Sequence, residues 1–333
     1  MILIKLVVSI YFVLLFLCVR CADFDVGNSI DLLAQFGIVA NILPIGSEDP
    51  AGFVDTSFSN NVFDKNAISK NREVFKVDEG KGTWKIHLCR NAESLLNTFF
   101  DNYNVELANR TSKLFASTWR LKQLEILFGI PQFYLMNQFA FLLIRQEKCS
   151  TKVILKNLPE NETSLNSTFQ QMVESINPPE TITIYPTFLN FGTHFVKSFS
   201  VGDVIFQVLV YPKETLHCFV VNEKDNEVTG MYLDCVLNRI VRHGKIKTLS
   251  NTFQMEQLFN EIYNANSTSS HHKHLLDLKL QKVNISDDVC KLSNMAITGF
   301  SLSGIYNVIF NSTKSLFVKE MILNQMEIRD FYL

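Results

Sequence analysis

The chain has 333 residues, of which 47% are hydrophobic and 19% are charged. This composition excludes disordered, collagen-like and low-complexity chains, because it can bury enough apolar surface to offset the chain entropy. The 31 basic and 33 acidic residues give a formal net charge of -2, which argues against a surface that binds nucleic acid. With 13 Gly and 8 Pro, no flexible linker is evident, and the sequence favours a single domain.

Residues 1–21 have the pattern of a secretory signal peptide. The apolar run from Leu6 to Val19 is too short for a membrane span and has the size of a secretory h-region. Val19 and Cys21 suit the minus-three and minus-one positions, so cleavage is predicted after Cys21. The sequence therefore predicts a secreted protein whose mature chain, 22–333, is one domain with short terminal extensions.

The first part of the mature chain gives weak signals. Residues 30–43 mix helical and strand-like spacing, and the segment from Asn41 to Glu79 is rich in Ser, Asn and Asp, which predicts a long loop. The segments Ser94 to Tyr103 and Trp119 to Phe128 carry apolar residues at mixed periods. Neither of these two segments predicts a definite element.

The clearest helical pattern starts at Leu165. Apolar residues follow at i+4, i+7, i+8 and i+11, ending at Ile176, which is the spacing of one helix face. Thr163 or Ser164 is the predicted N-cap, and Pro178-Pro179 is the predicted stop.

The clearest strand runs from Phe195 to Tyr211. Phe195, Phe199 and Val201 share one face, but from Val204 onward the apolar residues have the other parity. Such a change needs a bulge or a bend, and Gly202 offers a permissive backbone there.

Weaker patterns follow this strand. They predict another strand from Met231 to Val241, a helix from Leu249 to Ile262 that opens near Ser250, and a polar surface loop over residues 264–274.

Five cysteines remain after removal of the signal peptide, and in an oxidising compartment they are expected to pair. An odd number allows at most two bridges and one free thiol, and sequence does not assign the connectivity. Cys218 and Cys235 flank a predicted hairpin that turns at residues 223–226, but a symmetric turn would place Met231 opposite Cys218, too far from Cys235 for a bridge. The five disulfide candidates are Cys89, Cys149, Cys218, Cys235 and Cys290.

Secretion would also make each Asn-X-Ser/Thr sequon a candidate acceptor for N-glycosylation. The six sequons are at Asn109, Asn161, Asn166, Asn266, Asn284 and Asn311.

No catalytic, cofactor or metal motif is found. The sequence has no GxxxxGK[ST], HExxH, GxSxG or CxxC pattern. His271, His272 and His274 lie in a Ser-rich stretch without a Cys or carboxylate at ligand spacing, and Asp287-Asp288 lacks an EF-hand continuation. The sequence therefore predicts a protein that is not an enzyme and that has no cofactor and no metal site.

One motif stands out between the predicted helix and the bent strand. It consists of Phe191, Gly192, Thr193, His194 and Phe195, and it resembles the signature of the membrane-attack-complex/perforin (MACPF) family, which is Phe or Tyr, Gly-Thr-His, then Phe or Tyr. The order of a Leu-Pro-led segment, a helix, the signature and a strand with a glycine bend at Gly202 is also similar to that family. Asp203 departs from the paired glycines that the family often has.

The resemblance implies an α+β fold in which a bent, twisted antiparallel sheet is flanked by two helical clusters. It gives the signature a structural role: Gly192 permits a positive φ or a close approach, Thr193 and His194 hydrogen-bond a neighbouring loop, and the aromatic side chains pack beneath. His194 is accordingly interpreted as a scaffold residue and not as a catalytic base.

The resemblance further implies an extracellular role in developmental signalling. The expected partner is an extracellular protein ligand or receptor of a tyrosine-kinase pathway, with eggshell, matrix or peripheral membrane association as a further expectation and no nucleic acid.

The alternatives are a pore-forming lytic protein and a matrix adhesion module. Pore formation is disfavoured because the first candidate hairpin, near residues 94–118, alternates poorly, and the second, within 222–283, is interrupted by polar residues. A glycan on Asn109 or Asn266 would also have to enter the hydrocarbon layer.

Overall fold

The computed structural model describes residues 25–30, 32, 60–77, 84–112, 121–136, 138–158, 161–232, 239–249 and 296–332. The predicted signal peptide and almost all of the predicted helix after Leu249 lie outside the described residues. So do the side chain of Cys149 and several other predicted features, namely Cys235, Cys290, Asn266, Asn284, the three clustered histidines and Asp287-Asp288.

Eleven strands of the described residues form a single sheet. In spatial order its main path runs β4, β11, β6, β5, β3, β8, β7, with β2 against β5 and with β1, β9 and β10 against β6. All neighbours are antiparallel except β4 and β11, which are parallel. The strands are β1 (Ser29–Ile30), β2 (Arg72–Val77), β3 (Trp84–Cys89), β4 (Tyr103–Val105), β5 (Phe139–Leu155), β6 (His194–Pro212), β7 (Phe219–Asn222), β8 (Glu227–Met231), β9 (Arg242–His243), β10 (Lys247–Thr248) and β11 (Ala296–Gly304).

Six α-helices occur in the same part of the chain. They are α1 (Lys65–Asn71), α2 (Ala92–Phe99), α3 (Leu121–Phe128), α4 (Ser167–Ser175), α5 (Tyr185–Phe191) and α6 (Ser312–Tyr332). The rings of Phe99 and Phe128, the last residues of α2 and α3, meet edge to face at 5.5 Å. Those of Phe169 in α4 and Phe191 in α5 meet at 5.0 Å. The predicted α+β fold with an antiparallel sheet is confirmed. None of the helices described is both long enough and apolar enough to cross a membrane.

The predicted long strand is β6, and it is the centre of the sheet. Its side chains Phe195 and Phe199 join the same buried cluster as Val204 and Phe206, so the apolar face does change parity along the strand. Opposite Gly202, β5 contains an extra residue between the pairs Lys148–Asp203 and Thr151–Val201. Gly202 is not among the described glycines with positive φ, so the irregularity depends on the inserted residue in β5 and not on a left-handed glycine.

Two apolar layers lie on opposite faces of this sheet. The larger one contains most of the buried Phe side chains, with Phe99 in edge-to-face contact with Phe100, Phe128 and Phe206. The smaller one includes Leu209 and Tyr211. Because both faces are covered, β6 is buried continuously from Val204 to Tyr211, which is why Gln207 is the one polar residue of this stretch.

The hairpin of β7 and β8 turns at residues 223–226, where the sequence predicts it. The strands do not pair regularly beyond the turn, because a bulge at Thr229 shifts the register between Val220 and Val221. The backbone N–H of Tyr232 therefore donates to the carbonyl of Cys218, and the expectation that Met231 faces Cys218 is wrong by one residue. Cys218 is disulfide-bonded, whereas Cys89 is a free, buried thiol.

Three further expectations need correction. The segment from Asn41 to Glu79 is not all loop, since its described part contains α1 and β2. Helix α4 is capped by Asn166, whose side chain accepts from the Thr168 N–H, and not by Thr163 or Ser164. The strand predicted from Met231 to Val241 is also wrong where it is described, because β8 ends at Met231 and residues 239–241 are irregular.

Candidate functional site

The signature residues lie where α5 ends and β6 begins. Phe191 is the last residue of α5, and Gly192 reverses the chain with φ 60° and ψ -158°. That backbone conformation is almost confined to glycine. The Gly192 N–H donates to the Phe188 carbonyl at 2.7 Å, which closes the helix. Phe191 and Phe195 are fully buried, the latter in edge-to-face contact with Phe63 at 5.3 Å.

Thr193 connects this junction to two distant parts of the chain. Its N–H donates to the Ile30 carbonyl in β1, and its carbonyl accepts from the Ile305 N–H just after β11, each at 3.1 Å. Its hydroxyl oxygen also accepts from the Leu32 N–H at 3.4 Å. The beginning of β6 is thereby held between the N-terminal strand and the end of β11.

His194 is fully buried, and its partners define its tautomer. Nε2 lies 3.0 Å from the Glu106 carbonyl oxygen, which can only accept, so Nε2 carries the proton. Nδ1 then accepts from the Thr193 hydroxyl at 2.9 Å. Burial is the main cause that lowers the pKa of His194 to about 4, although the backbone and carboxylate of Glu106 act in the other direction. The imidazole is therefore neutral at physiological pH.

Glu106 is the centre of the second half of this network. Its carboxylate accepts from the Gly304 N–H at 2.9 Å and from the Tyr306 hydroxyl at 2.7 Å. It also accepts from the Ser303 hydroxyl at 2.8 Å and from the Asn307 amide at 2.7 Å. Burial alone would raise the pKa of Glu106, but the four hydrogen bonds together hold it below the usual value. Burial and the bond to Glu106 raise the pKa of Tyr306.

We call this set the junction network: Leu32, Glu106, Thr193, His194, Ser303, Gly304, Tyr306 and Asn307. Its donors and acceptors form hydrogen bonds with one another, and its histidine is buried. The arrangement ties α5, the start of β6, the turn after β4 and the end of β11 into one unit. Sequence reasoning singled out Thr193 and His194 but missed Glu106, because its partners are 88 to 201 residues away and no local pattern marks it.

An open cleft of about 440 Å³ lies beside the N-terminus of α2. Its polar groups are engaged with one another: Asn91 and Ser94 form a capping box, and Glu93 pairs with Arg110. The cleft therefore presents few unsatisfied groups to a ligand. Among the described residues, no group of three or more His, Cys, Asp or Glu side chains could hold a metal ion.

Four predicted glycosylation acceptors fall in the described part of the chain. The side chains of Asn109, Asn161 and Asn311 are exposed. Asn166 is half-buried, and its side-chain oxygen caps α4. A sugar would attach to the amide nitrogen of Asn166 and leave this oxygen available as the cap.

No family model matches the sequence, and no curated protein matches it. Several solved structures resemble the chain, and three of them are described below. One is GNIP1Aa from Chromobacterium piscinae, with 8% identity, a TM-score of 0.42 and coverage of 78% of this chain and 47% of that one. The second is a protein with a MAC/Perforin domain from Bacteroides thetaiotaomicron, with 10% identity, a TM-score of 0.43 and coverage of 90% and 60%.

The third is Astrotactin-2, a vertebrate-specific, perforin-like membrane protein involved in neuronal development. It has 10% identity, a TM-score of 0.32 and coverage of 75% of this chain and 37% of its own. The chain thus spans about half the length of the structures it resembles.

Proposed function

We propose that this chain is a secreted, non-lytic member of the MACPF family that acts in extracellular developmental signalling. In this proposal it assists the ligand-dependent activation of a receptor tyrosine kinase, and it is neither an enzyme nor dependent on a cofactor. The specific role comes from its resemblance to the insect protein Torso-like, which implies activation of the Torso receptor in embryonic terminal patterning.

The observation that carries the family assignment is the place of the signature. A Gly-Thr-His sequence is short enough to occur by chance, but here it joins a helix to the central bent strand of an antiparallel sheet. The Thr193 backbone and the His194 imidazole bond to β1, to the residue after β11 and to the turn after β4. A motif used in this way is structural, and any function depends on surfaces elsewhere.

The resemblance to Torso-like lies in two stretches, Gly27 to Pro44 and Phe195 to Tyr211. The described start of the first stretch contacts the start of the second, since the Gly27 N–H donates to the Val196 carbonyl at 2.8 Å and β1 pairs with β6. Two similar stretches that are paired in the fold support a shared N-terminal arrangement.

The packing of residues 92–112 supports the non-lytic part of the proposal. A pore-forming hairpin would have to leave the body of the protein, but β4 is paired with β11 and Glu106 is bound by four donors. Five apolar side chains of this segment are buried. At roughly 1.5–3 kcal/mol each, their exposure would cost on the order of 10 kcal/mol. The five are Leu95, Phe99, Phe100, Tyr103 and Val105.

Liposome leakage tests this conclusion directly. Purified secreted protein, with and without enzymatic removal of its glycans, is added to dye-loaded vesicles of neutral and of anionic lipids. We expect no dye release from either sample. Release by the glycan-free protein alone would mean that sugars suppress a lytic activity, and release by both would make the protein a pore-former.

The signalling role needs a separate assay. Cells that display the Torso receptor are treated with its ligand, in the presence or absence of medium that contains this protein, and receptor phosphorylation is measured. We expect phosphorylation to increase with the medium. Medium from cells that express the chain without residues 1–21 is the matched control, and an equal response to both media would contradict the proposal.

A further inference from the structure

The charges are unevenly distributed, and one edge of the sheet carries a strongly basic strip. Residues 239–247 contain two Arg, two Lys and one His and no acidic residue, although the whole chain has a net charge of -2. We call these nine residues the basic strip. Arg239, Arg242 and Lys245 are exposed within it.

The strip is held extended along the central strand. β9 and β10 pair with β6 at Leu209–Val210 and Ile205–Phe206. Between them the Gly244 N–H donates to the Val208 carbonyl at 2.8 Å, and the Gln207 side chain donates to the Gly244 carbonyl at 2.8 Å. The backbone is therefore fixed, and the charged side chains project from a defined line.

Burial along this line separates the apolar from the basic residues. Gly244 and Ile246 are buried, whereas Lys245 between them is exposed. Gly244 has no room for a side chain, because an added Cβ would lie 2.6 Å from the Val208 carbonyl oxygen. Arg242 lies in β9 and Lys245 lies between β9 and β10, where the strip has one more residue than the facing part of β6.

The elements that face Arg239, Arg242 and Lys245 carry little acidic charge. The facing segment of β6, from Val204 to Tyr211, has no charged residue. α3 ends beside the strip, where the Lys245 N–H donates to the Gly129 carbonyl, and its acidic residue Glu125 is paired with Lys122 at 3.9 Å. The ion pairs of Arg72, Arg110, Lys122, Arg145 and Lys156 lie elsewhere in the described part of the chain.

We infer that the basic strip binds a linear sulfated polysaccharide of the glycosaminoglycan class. A row of exposed Arg and Lys with a fixed backbone matches a ligand that carries anionic groups at intervals, and short segments rich in Arg and Lys occur in heparin-binding patches. Arg adds bidentate hydrogen bonds to such oxyanions. Only the extracellular setting of the ligand rests on the proposed function.

A sulfated polysaccharide fits better than an anionic membrane. Proteins that bind a membrane surface combine basic residues with apolar or aromatic side chains that enter the interface. In the strip, Ile246 is buried, and the exposed apolar side chain is the small Val241. The row of charges is also only one strand wide, which suits a linear polysaccharide better than the flat surface of a membrane.

Chromatography and titration of the intact secreted protein on heparin test the inference. The variant Arg239→Gln/Arg242→Gln/Lys245→Gln removes three positive charges from the strip. The matched control Lys65→Gln/Lys70→Gln/Arg90→Gln removes three exposed positive charges elsewhere. We expect the wild type and the control to elute at similar salt and the strip variant to elute much earlier. The slope of log affinity against log salt should fall by about 3, or roughly one per lost contact.

Unchanged melting temperatures of both variants show that folding is intact. Equal retention of the three proteins, or no retention of the wild type at physiological salt, would overturn the inference, because the charges would then serve only to protect a sheet edge from pairing. Strip-dependent binding to phosphatidylserine vesicles without binding to heparin would also overturn it. None of these outcomes depends on the signalling assay, so failure here is distinguishable from failure of the proposed function.

Discussion

Replacement of His194 by Gln is expected to remove a specific part of the acid sensitivity of this fold. The folded protein holds the pKa of His194 at about 4, against an ordinary value of 6.5. Below about pH 6.5 the unfolded chain therefore binds a proton that the folded chain does not, and the free energy of unfolding falls as the pH falls. One pH unit within this window is worth about 1.4 kcal/mol, so acidification from neutral pH to pH 5 costs the wild type about 2 kcal/mol through this residue.

The variant His194→Gln cannot take up this proton. At neutral pH we expect it to be less stable than the wild type by about 1–3 kcal/mol, because the Thr193 hydroxyl loses its acceptor in a buried site. As the pH is lowered to 5, the stability difference between the two proteins should shrink by about 2 kcal/mol. The range ends at pH 5 because Glu106, whose pKa is lowered, stays ionised there in both proteins.

Urea unfolding at several pH values between 5 and 7.5 measures this difference. His243→Gln is the matched control for the loss of a histidine, since His243 lies exposed in β9 and this variant keeps the response that is due to His194. Parallel pH profiles for the wild type and His194→Gln would refute the reasoning, because they would mean that His194 is protonated equally in the folded and unfolded chains.

Three further predictions concern single residues. Gly192→Ala should destabilise the fold by about 1–3 kcal/mol in thermal melts, since the φ and ψ of Gly192 are almost confined to glycine. Gly230→Ala is the control and should change the stability little, because an added Cβ there has ordinary contacts. Equal effects of the two substitutions would contradict the argument. Glu106→Gln should cost about 2–4 kcal/mol in urea unfolding, because an amide cannot accept four hydrogen bonds, whereas the exposed Glu320→Gln should be near neutral. Cys89, whose pKa burial raises to about 12, should resist iodoacetamide in the folded protein and react after unfolding, as peptide mass spectrometry would record; equal rates in both states would contradict its burial.

The sequence predicts best where a pattern is local. β6 and α4 are found at the expected places because a strand or helix face repeats within a few residues, and the hairpin turn at residues 223–226 is found for the same reason. β2 is missed because the side chains of Val74 and Phe75 are both exposed, so this strand has no apolar face to produce an alternating pattern. Its identity as a strand comes from its hydrogen bonds to β5.

Register and side-chain networks are harder to predict, since they depend on residues that are distant in sequence. The bulge at Thr229 moves Cys218 by one position relative to the opposite strand, and no pattern in the hairpin sequence predicts this bulge. Glu106 likewise has no motif of its own. Its role follows from the meeting of β4, β6 and β11, which only the folded chain brings about.

The chemistry of the junction network explains why a histidine suits its central position. His194 must donate to a carbonyl on one side and accept from a hydroxyl on the other, and a neutral imidazole does both at opposite ends of a rigid ring. Protonation would turn Nδ1 into a second donor, so the Thr193 oxygen would receive hydrogen bonds from both Nδ1 and Leu32 while its own proton had no acceptor. That mismatch and the burial of the charge both disfavour the protonated imidazole, which agrees with the lowered pKa of His194. Acid should therefore loosen the contacts of Thr193 with β1 before it affects the apolar layers, whose buried members include no Asp, Glu or His.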